Sequence, residues 1–337
     1  MTRAQGGAHY PRSVGELRSW FGTDAACLDY LAWLRWRNGF VCDKCGHNEC
    51  WQLSDGRIEC AAYSRRTSVT AGTIFDRTRT VLRVWFAACC EPTTAKGGVS
   101  ALRLQRTLEI GSYQTTRAML HRLGSVLVRP GRDRLSGTVQ VDETYFGGQE
   151  RGLRGGRHKA KKVLVGVAFE LREPHGLGRR PMGVLHEGSA DSIVPLVTEN
   201  VEEKATVITN GVGRLGYLHE PRSQPTAKAR GEDVGTLLPG VHRVASLSKP
   251  WHASTHQGRF DHGHLPGYLT SSCSASIAGA SRAGGILFFR LVELAVDHNP
   301  VRYHDVAIGG RPRKVMPLPR TVRAGRPPYG SHSLACR

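Results

Sequence analysis

The spacing of apolar positions changes character several times along the 337-residue chain. Over residues 13–38, Leu28, Leu31 and Leu34 recur at helical spacing beside Trp33 and Trp36, and Gly39 closes the segment. This pattern predicts helix, with the aromatics turned into a core. Residues 40–70 are short, polar and cysteine-bearing. Helical periodicity returns over 76–130, first as the apolar stripe VLRVWFAACC, then as VSALRLQRTLEI and SYQTTRAMLHRLGSVLV, joined near Gly111 with Ser112 as the expected N-cap. From residue 138 the period shortens to two. TVQVDETYF, KKVLVGVAFE and RPMGVLHE read as strands, Ser189–Asn200 as a short helix and ATVITN as a fourth strand. Closely joined strands followed by a helix and another strand predict a mixed α/β domain. Residues 219–240 read as loop, GILFFRLVELAV at 285–296 as a helix, and the Pro-, Gly- and Arg-rich stretch beyond Gly309 as a disordered tail. A lysine just before a proline, Lys249-Pro250, is expected to limit helix there.

Charge adds a partner class to this outline. The chain carries 47 Lys and Arg against 28 Asp and Glu, a formal +19 with a pI near 10.0. An excess of this size favours a polyanion through steering and counterion release, against the alternative of a merely basic surface. No apolar run approaches the about 18 residues of a membrane span. The N-terminal MTRAQGGAHYPRS lacks the apolar stretch of a secretion signal. Nine unevenly spaced cysteines do not form a disulfide framework, and the expected compartment is the reducing cytoplasm.

Three constellations carry chemistry. The first is Cys42-x-x-Cys45-Gly followed by Cys60, the beginnings of two knuckles around one structural ion. Zinc in such a site takes four soft ligands in a tetrahedron. The second knuckle reads Cys60-Ala-Ala-Tyr63, so the fourth ligand is left to Cys50 or His47 in the intervening loop. The second constellation is the helix pair over 100–128, whose second member offers Gln114, Arg117 and Arg122 to a DNA groove, with ordinary packing as the alternative.

The third constellation is acidic. Asp142 sits late on the first strand, with Glu143 pointing to the opposite face. A basic loop follows, in which Arg151, Arg154, Arg157, Lys159, Lys161 and Lys162 suit backbone phosphates. Metal-assisted phosphoryl transfer uses two dications about 4 Å apart, held by hard oxygen ligands. The position matching Asp142 on the fourth strand is Asn210, a neutral amide. The region expected to supply a third ligand, VHRVASLSKPWHASTHQG, holds His242, Lys249, His252 and His256, with Asp261 shortly after.

These residues resemble a family. FVCDKCGH, RRTSVTAGTIFDRTRT, VDETYFGG, VITNG, LLPGVHRVASLSK, THQG and HLPGYL are together similar to the bacterial insertion-sequence transposases of the zinc-ribbon, DDE type, over roughly residues 15–308. The resemblance implies a ribonuclease-H-like catalytic domain, preceded by a small zinc ribbon that helps bind transposon ends and by a helical region. It implies Mg2+ or Mn2+ for strand cleavage and joining, Zn2+ for the ribbon, and double-stranded DNA with the element's terminal repeats as partner. Two ends must be brought together, which implies a homo-oligomer on DNA. By position, Asp142 matches the first catalytic aspartate, Asn210 stands where the second is expected, and His242 and Lys249 fall in the segment of the third position and a nearby lysine.

The domains implied are an N-terminal helical segment at 1–39, a ribbon at 40–70, a helical DNA-binding or linker region at 76–130, the catalytic domain at 138–308 and a basic tail at 309–337. Three departures stand out. Tyr63 replaces the last ribbon cysteine, Asn210 replaces an aspartate, and TSSCSASIAGASRAGG replaces an aromatic, arginine-rich helix. Together they are the pattern of a degenerate, catalytically impaired copy, with a non-catalytic DNA-binding remnant as the alternative.

Overall fold

A computed structural model describes residues 4–53, 56–95, 98–127, 134–147, 162–172, 176–177, 179–209, 238–256, 265, 269 and 284–301. In chain order the described elements begin with α1 (Val14–Trp20), α2 (Asp24–Arg35), β1 (Cys50–Gln52), β2 (Arg57–Cys60), β3 (Arg66–Ser68), α3 (Leu82–Thr94), α4 (Ala101–Thr107) and α5 (Tyr113–Leu127). They continue with β4 (Thr138–Phe146), β5 (Val163–Arg172), β6 (Gly176–Leu177), β7 (Met182–Leu185), α6 (Ala190–Asn200), β8 (Thr206–Ile208), α7 (Pro239–His256) and α8 (Gly284–Asp297). The chain divides into two compact units, one of residues 1–127 with 278–337 and one of residues 128–277.

In the first unit the predicted helix over 13–38 is two helices. Ser13 and Thr23 take extended backbone and accept hydrogen bonds from the Glu16 and Ala26 amides, so each starts its own helix. Phe21, between them, is buried. Its ring meets Tyr30 at 5.0 Å and Phe86 at 4.6 Å, edge to face, and lies 5.9 Å from Phe288. Trp33 is buried in the same core, as expected. The N-terminus of α3 has no side-chain cap of its own. Asp24, the first residue of α2, accepts from the Leu82 and Arg83 amides at 3.1 and 3.2 Å and serves instead. The strands β1, β2 and β3 form a small antiparallel sheet in that order.

Two boundaries differ from the expectation. The segments 1–39, 40–70 and 76–130 share a single hydrophobic core. Helix α8, expected inside the domain at 138–308, lies in the first unit, with Phe288, Leu291, Val292 and Ala295 buried in that same core. Its apolar face fixed that it must be covered, but could not say by which neighbour. The tail at 309–337 lies outside the described residues.

The second unit is a mixed five-stranded sheet. Strand β5 is buried on both faces for eight residues and holds the centre, as its unbroken apolar run dictates. It pairs antiparallel with β4 on one edge and with β6 and β7 on the other. Strand β8 lies on the far side of β4 and runs parallel to it, with Thr138, Val139 and Gln140 opposite Thr206, Val207 and Ile208. Fourth-beside-first pairing of this kind is consistent with the ribonuclease-H-like expectation.

Helices cover both faces of the sheet. Val139 and Val141 pack with Val197 and Val201 of α6 and its end. Gly166 and Gly183 sit on this face because Leu196 leaves no room for a Cβ, which would lie 2.6 and 2.9 Å from its methyls. On the other face Phe146, Val165, Val167 and Phe169 pack with Val241 and Val244 of α7. Helix α7 runs through Pro250 to His256, against the expected limit. At one end of the sheet the buried Glu170 carboxylate accepts from Arg179, Arg172 and the Ser136 amide.

Candidate functional site

The ribbon in the first unit is built from two backbone turns of the same design. In one, the Cys42 amide donates to the His47 carbonyl and the Gly46 amide returns to the Cys42 carbonyl, with Gly46 at φ +72°. In the other, the Cys60 amide donates to the Arg65 carbonyl and the Ser64 amide returns to the Cys60 carbonyl, with Ser64 at φ +50°. Cys45 and Tyr63 occupy the same place in the two turns. The left-handed position suits glycine in the first turn; in the second a serine holds it.

Cys42, Cys45 and Cys60 converge, their sulfurs within 4.8 Å of one another and those of Cys45 and Cys60 3.6 Å apart. Zinc–sulfur bonds of about 2.3 Å set tetrahedral edges of roughly 3.8 Å, so the donor set fits one thiophilic ion. Amides of Lys44 and then Cys45 point at the Cys42 sulfur and pull that thiol below its ordinary range. Neither proposed fourth ligand enters the group. His47 faces Glu49 at 3.8 Å, and Cys50 is buried on β1 in register with Cys60. Tyr63 is 62% exposed.

The helix pair α4–α5 closes on a tight turn. Glu109 takes the left-handed conformation at φ +53°, and the Ile110 amide reaches the Gln105 carbonyl at 3.0 Å. Ser112 accepts from the Thr115 amide, as an N-cap should. Leu104, Thr116, Met119 and Leu123 face the core, which leaves Gln114 and Arg117 exposed on the outer face of α5. Arg122 differs from expectation. It is half-buried and donates to the Ile74 carbonyl, fastening a neighbouring loop.

In the second unit, Asp142 lies on the α7 face of β4, in the cross-strand row of Val167 and Met182. Burial pushes its carboxyl up, while the Glu143 amide, donating to Oδ1 at 2.8 Å, and nearby His242 pull the other way. Glu143 faces the α6 side, its carboxylate against Gly188 just before that helix, so the two adjacent acids do not share a site. His242 is exposed in the first turn of α7.

That turn is held by a residue that sequence reasoning passed over. Gln140, buried two residues before Asp142, accepts from the Gly240 amide at 2.9 Å. A Cβ on Gly240 would lie 2.3 Å from Phe169 and 2.8 Å from the Gln140 oxygen. A glutamine inside the apolar run Val139-Gln140-Val141 was the available signal.

Further along α7, burial and then the charge of Lys162 lower the Lys249 ammonium below its usual value. The structure therefore brings these two expected phosphate contacts together. His252 is a buried histidine instead, edge-on to Phe146 at 5.2 Å and Trp251 at 5.1 Å, and burial drives its pKa down to about 4. Asn210, Arg151, Arg154, Arg157, Lys159, Lys161 and Asp261 lie outside the described residues. Among the described residues, Asp142 and the imidazole of His242 do not by themselves supply the oxygen donors that two dications need. Among the described residues, the three cysteines are the only group of metal-ligating side chains of that size.

Comparison with known proteins agrees with this division. Residues 22–65 match the transposase zinc-ribbon domain, and residues 134–272 match the ISXO2-like transposase domain. The chain therefore carries transposase-type zinc-ribbon and DDE domains. It is similar to a protein in transposable element ISH50 of Halobacterium salinarum, 26% identical over 264 residues that cover 71% of this chain and 86% of that one. No solved structure matches the chain. No helix among the described residues is long and apolar enough to cross a membrane.

Proposed function

We propose that the chain is a DNA transposase by descent, which binds insertion-element ends and whose metal-dependent cleavage and joining is impaired by Asn210. The observation that carries this reading is the parallel pairing of β4 with β8. Those described pairs put the end of β8 beside the strand that carries Asp142, and position 210 follows that end in sequence. Two carboxylates there would share one cleft and neutralise a dication. An aspartate facing an amide supplies one negative charge, and a hard cation is held more weakly by it.

The remaining roles follow from charge and exposure. Lys162 and Lys249, together with the basic loop at 151–161, would contact backbone phosphate, and an anion between the two ammoniums would relieve their repulsion. Gln114 and Arg117 on α5 would enter a groove, with the ribbon as a second contact to the terminal repeats. His242 would orient a phosphate or a water at Asp142. Gln140, which fastens the start of α7, is a positioning residue for that histidine. Pairing two ends would require more than one copy of the chain.

A second reading, an end-binding protein without chemistry, is favoured by the donor set around Asp142, where the described neighbour on α7 is a histidine. Strand transfer on element-end DNA with Mn2+ separates the two. The transposase reading expects no or weak joining by the natural chain and a gain in Asn210→Asp. Unchanged silence in that variant, with tight end binding, favours the second reading. Binding measured against salt on element ends and on random duplex tests both together. Equal affinity for the two DNAs would leave only phosphate attraction and contradict end recognition.

A further inference from the structure

We infer that the ribbon holds its metal through three protein thiolates, Cys42, Cys45 and Cys60, and leaves the fourth coordination position, beside Tyr63, open to an exchangeable monodentate ligand. Water fills that position at rest, and a small thiol or an imidazole replaces it when supplied.

The argument begins with the backbone. The two turns share their hydrogen bonds, residue for residue, from Cys42 to His47 and from Cys60 to Arg65. The second turn has therefore kept the shape that would aim a side chain at position 63 toward the ion. What changed is the length of that side chain. A tyrosine oxygen stands a full ring further from the backbone than a cysteine sulfur, so from this position it overshoots a site sized for thiolates. The ring accordingly lies 62% exposed.

No replacement comes from nearby. Among the described residues no further His, Cys, Asp or Glu joins the three sulfurs. His47 faces Glu49, Asp43 faces Arg65 at 3.4 Å and Glu59 faces Arg66 at 2.6 Å. Cys42 and Cys60 are buried, whereas Cys45, which shares its place in the turn with Tyr63, is exposed. The gap in the donor set thus lies on the solvent side. Tetrahedral zinc with three protein ligands and one open position behaves differently from a closed structural site, because its fourth ligand exchanges.

The exchange is a substitution and not a redox step. When a thiol enters, its sulfur forms a bond to the metal, the metal–oxygen bond of the bound water breaks, and the thiol proton passes to solvent. When imidazole enters, its neutral nitrogen takes the place of water and no proton is released. The inference rests on the ribbon's metal reading alone, and its outcome does not depend on whether the chain cuts DNA.

Cobalt(II) is the probe, because its visible bands report the donor set. Full-length chain is loaded with Co2+ alone, and absorption is followed as imidazole and, separately, 2-mercaptoethanol are added. The expected result is one Co2+ per chain, with bands that shift saturably on addition of either ligand. Tyr63→Cys should show stronger sulfur-to-cobalt absorption, by about one third for four thiolates against three, and should no longer respond to imidazole. Tyr63→Phe should match the natural chain. Bands that ignore both added ligands, a spectrum already equal to that of Tyr63→Cys, a change on removing the tyrosine oxygen, or failure to bind Co2+ would each overturn the inference.

Discussion

The ribbon and the surroundings of Asp142 each carry another residue type where the resemblance expects a ligand, Tyr63 and Asn210, yet they stand differently. In the ribbon, main-chain hydrogen bonds shape both turns, and they persist where Tyr63 replaces a cysteine. Three sulfurs still converge, so the geometry outlives the missing donor. Around Asp142 the backbone contributes position through β4 and β8, and in the proposed cation site that position would act through charge. Asp142 keeps its place on the α7 face with its carboxyl already pushed up by burial. A site defined by backbone shape tolerates the loss of a ligand better than one defined by the sum of its charges.

That contrast can be broken in order of expected effect. Removing metal should act on the ribbon and spare the sheet. Structural zinc contributes on the order of 10 kcal/mol in small metal-dependent folds. A strong chelator should therefore abolish amide-exchange protection over 42–68 while leaving β4 and β5 protected. Equal loss in both regions would show that the ribbon has no separate dependence on metal.

Glu170→Gln is the corresponding test of the sheet. Burial alone would raise the Glu170 carboxyl, but hydrogen bonds from Arg179 and the Ser136 amide, with the guanidinium's charge, hold it down at about 2. Removing one partner of such a buried pair costs about 3 kcal/mol. Urea unfolding of the second unit, followed through Trp251, should shift by that amount while ribbon protection stays unchanged.

Acid should act on the same unit in two steps. His252 has a pKa near 4 when folded against an ordinary 6.5, so it stays neutral while the unfolded chain takes up a proton. The sheet therefore loses stability as pH falls from 6.5 toward 4. Glu170 is depressed from an ordinary 4.5 to about 2, and its contribution, complete above 4.5, is lost as pH falls toward 2. His252→Phe should remove the upper step only, and an unaltered upper step would contradict the assignment. The smallest effect belongs to the first unit. Asp24→Ala removes the cap of α3 and should destabilise that unit by about 1 kcal/mol, measured by denaturant unfolding.

How much of this was legible in the sequence depended on how local the cause was. Strand β5 was plain because a seven-residue apolar run can only be buried, and β4 because alternation around Asp142 placed Glu143 on the other face. The knuckle cysteines were legible because each turn is closed by its own neighbours. Contacts between distant segments were not. Asp24 caps a helix 58 residues away, and Gln140 fastens a turn 100 residues away. Helix α8 showed an apolar face but no address, and its core partners lie far back in the first unit. Pro250 was read as a stop, yet α7 passes through it, with Val241 and Val244 buried against the sheet in its first half and Trp251 and His252 buried just beyond the proline.

The central claim is that Asp142 and residue 210 belong to one cation site, and its most direct test is a double-mutant cycle on Mn2+ affinity. The natural chain, Asn210→Asp, Asp142→Asn and the double variant are titrated with Mn2+ and read by the loss of the free-ion paramagnetic resonance signal, after the ribbon has been saturated with zinc. The account predicts that Asn210→Asp tightens Mn2+ binding by about tenfold or more and that Asp142→Asn cancels the gain. A gain that survives the loss of Asp142, or an affinity that Asn210→Asp leaves unchanged, would contradict it.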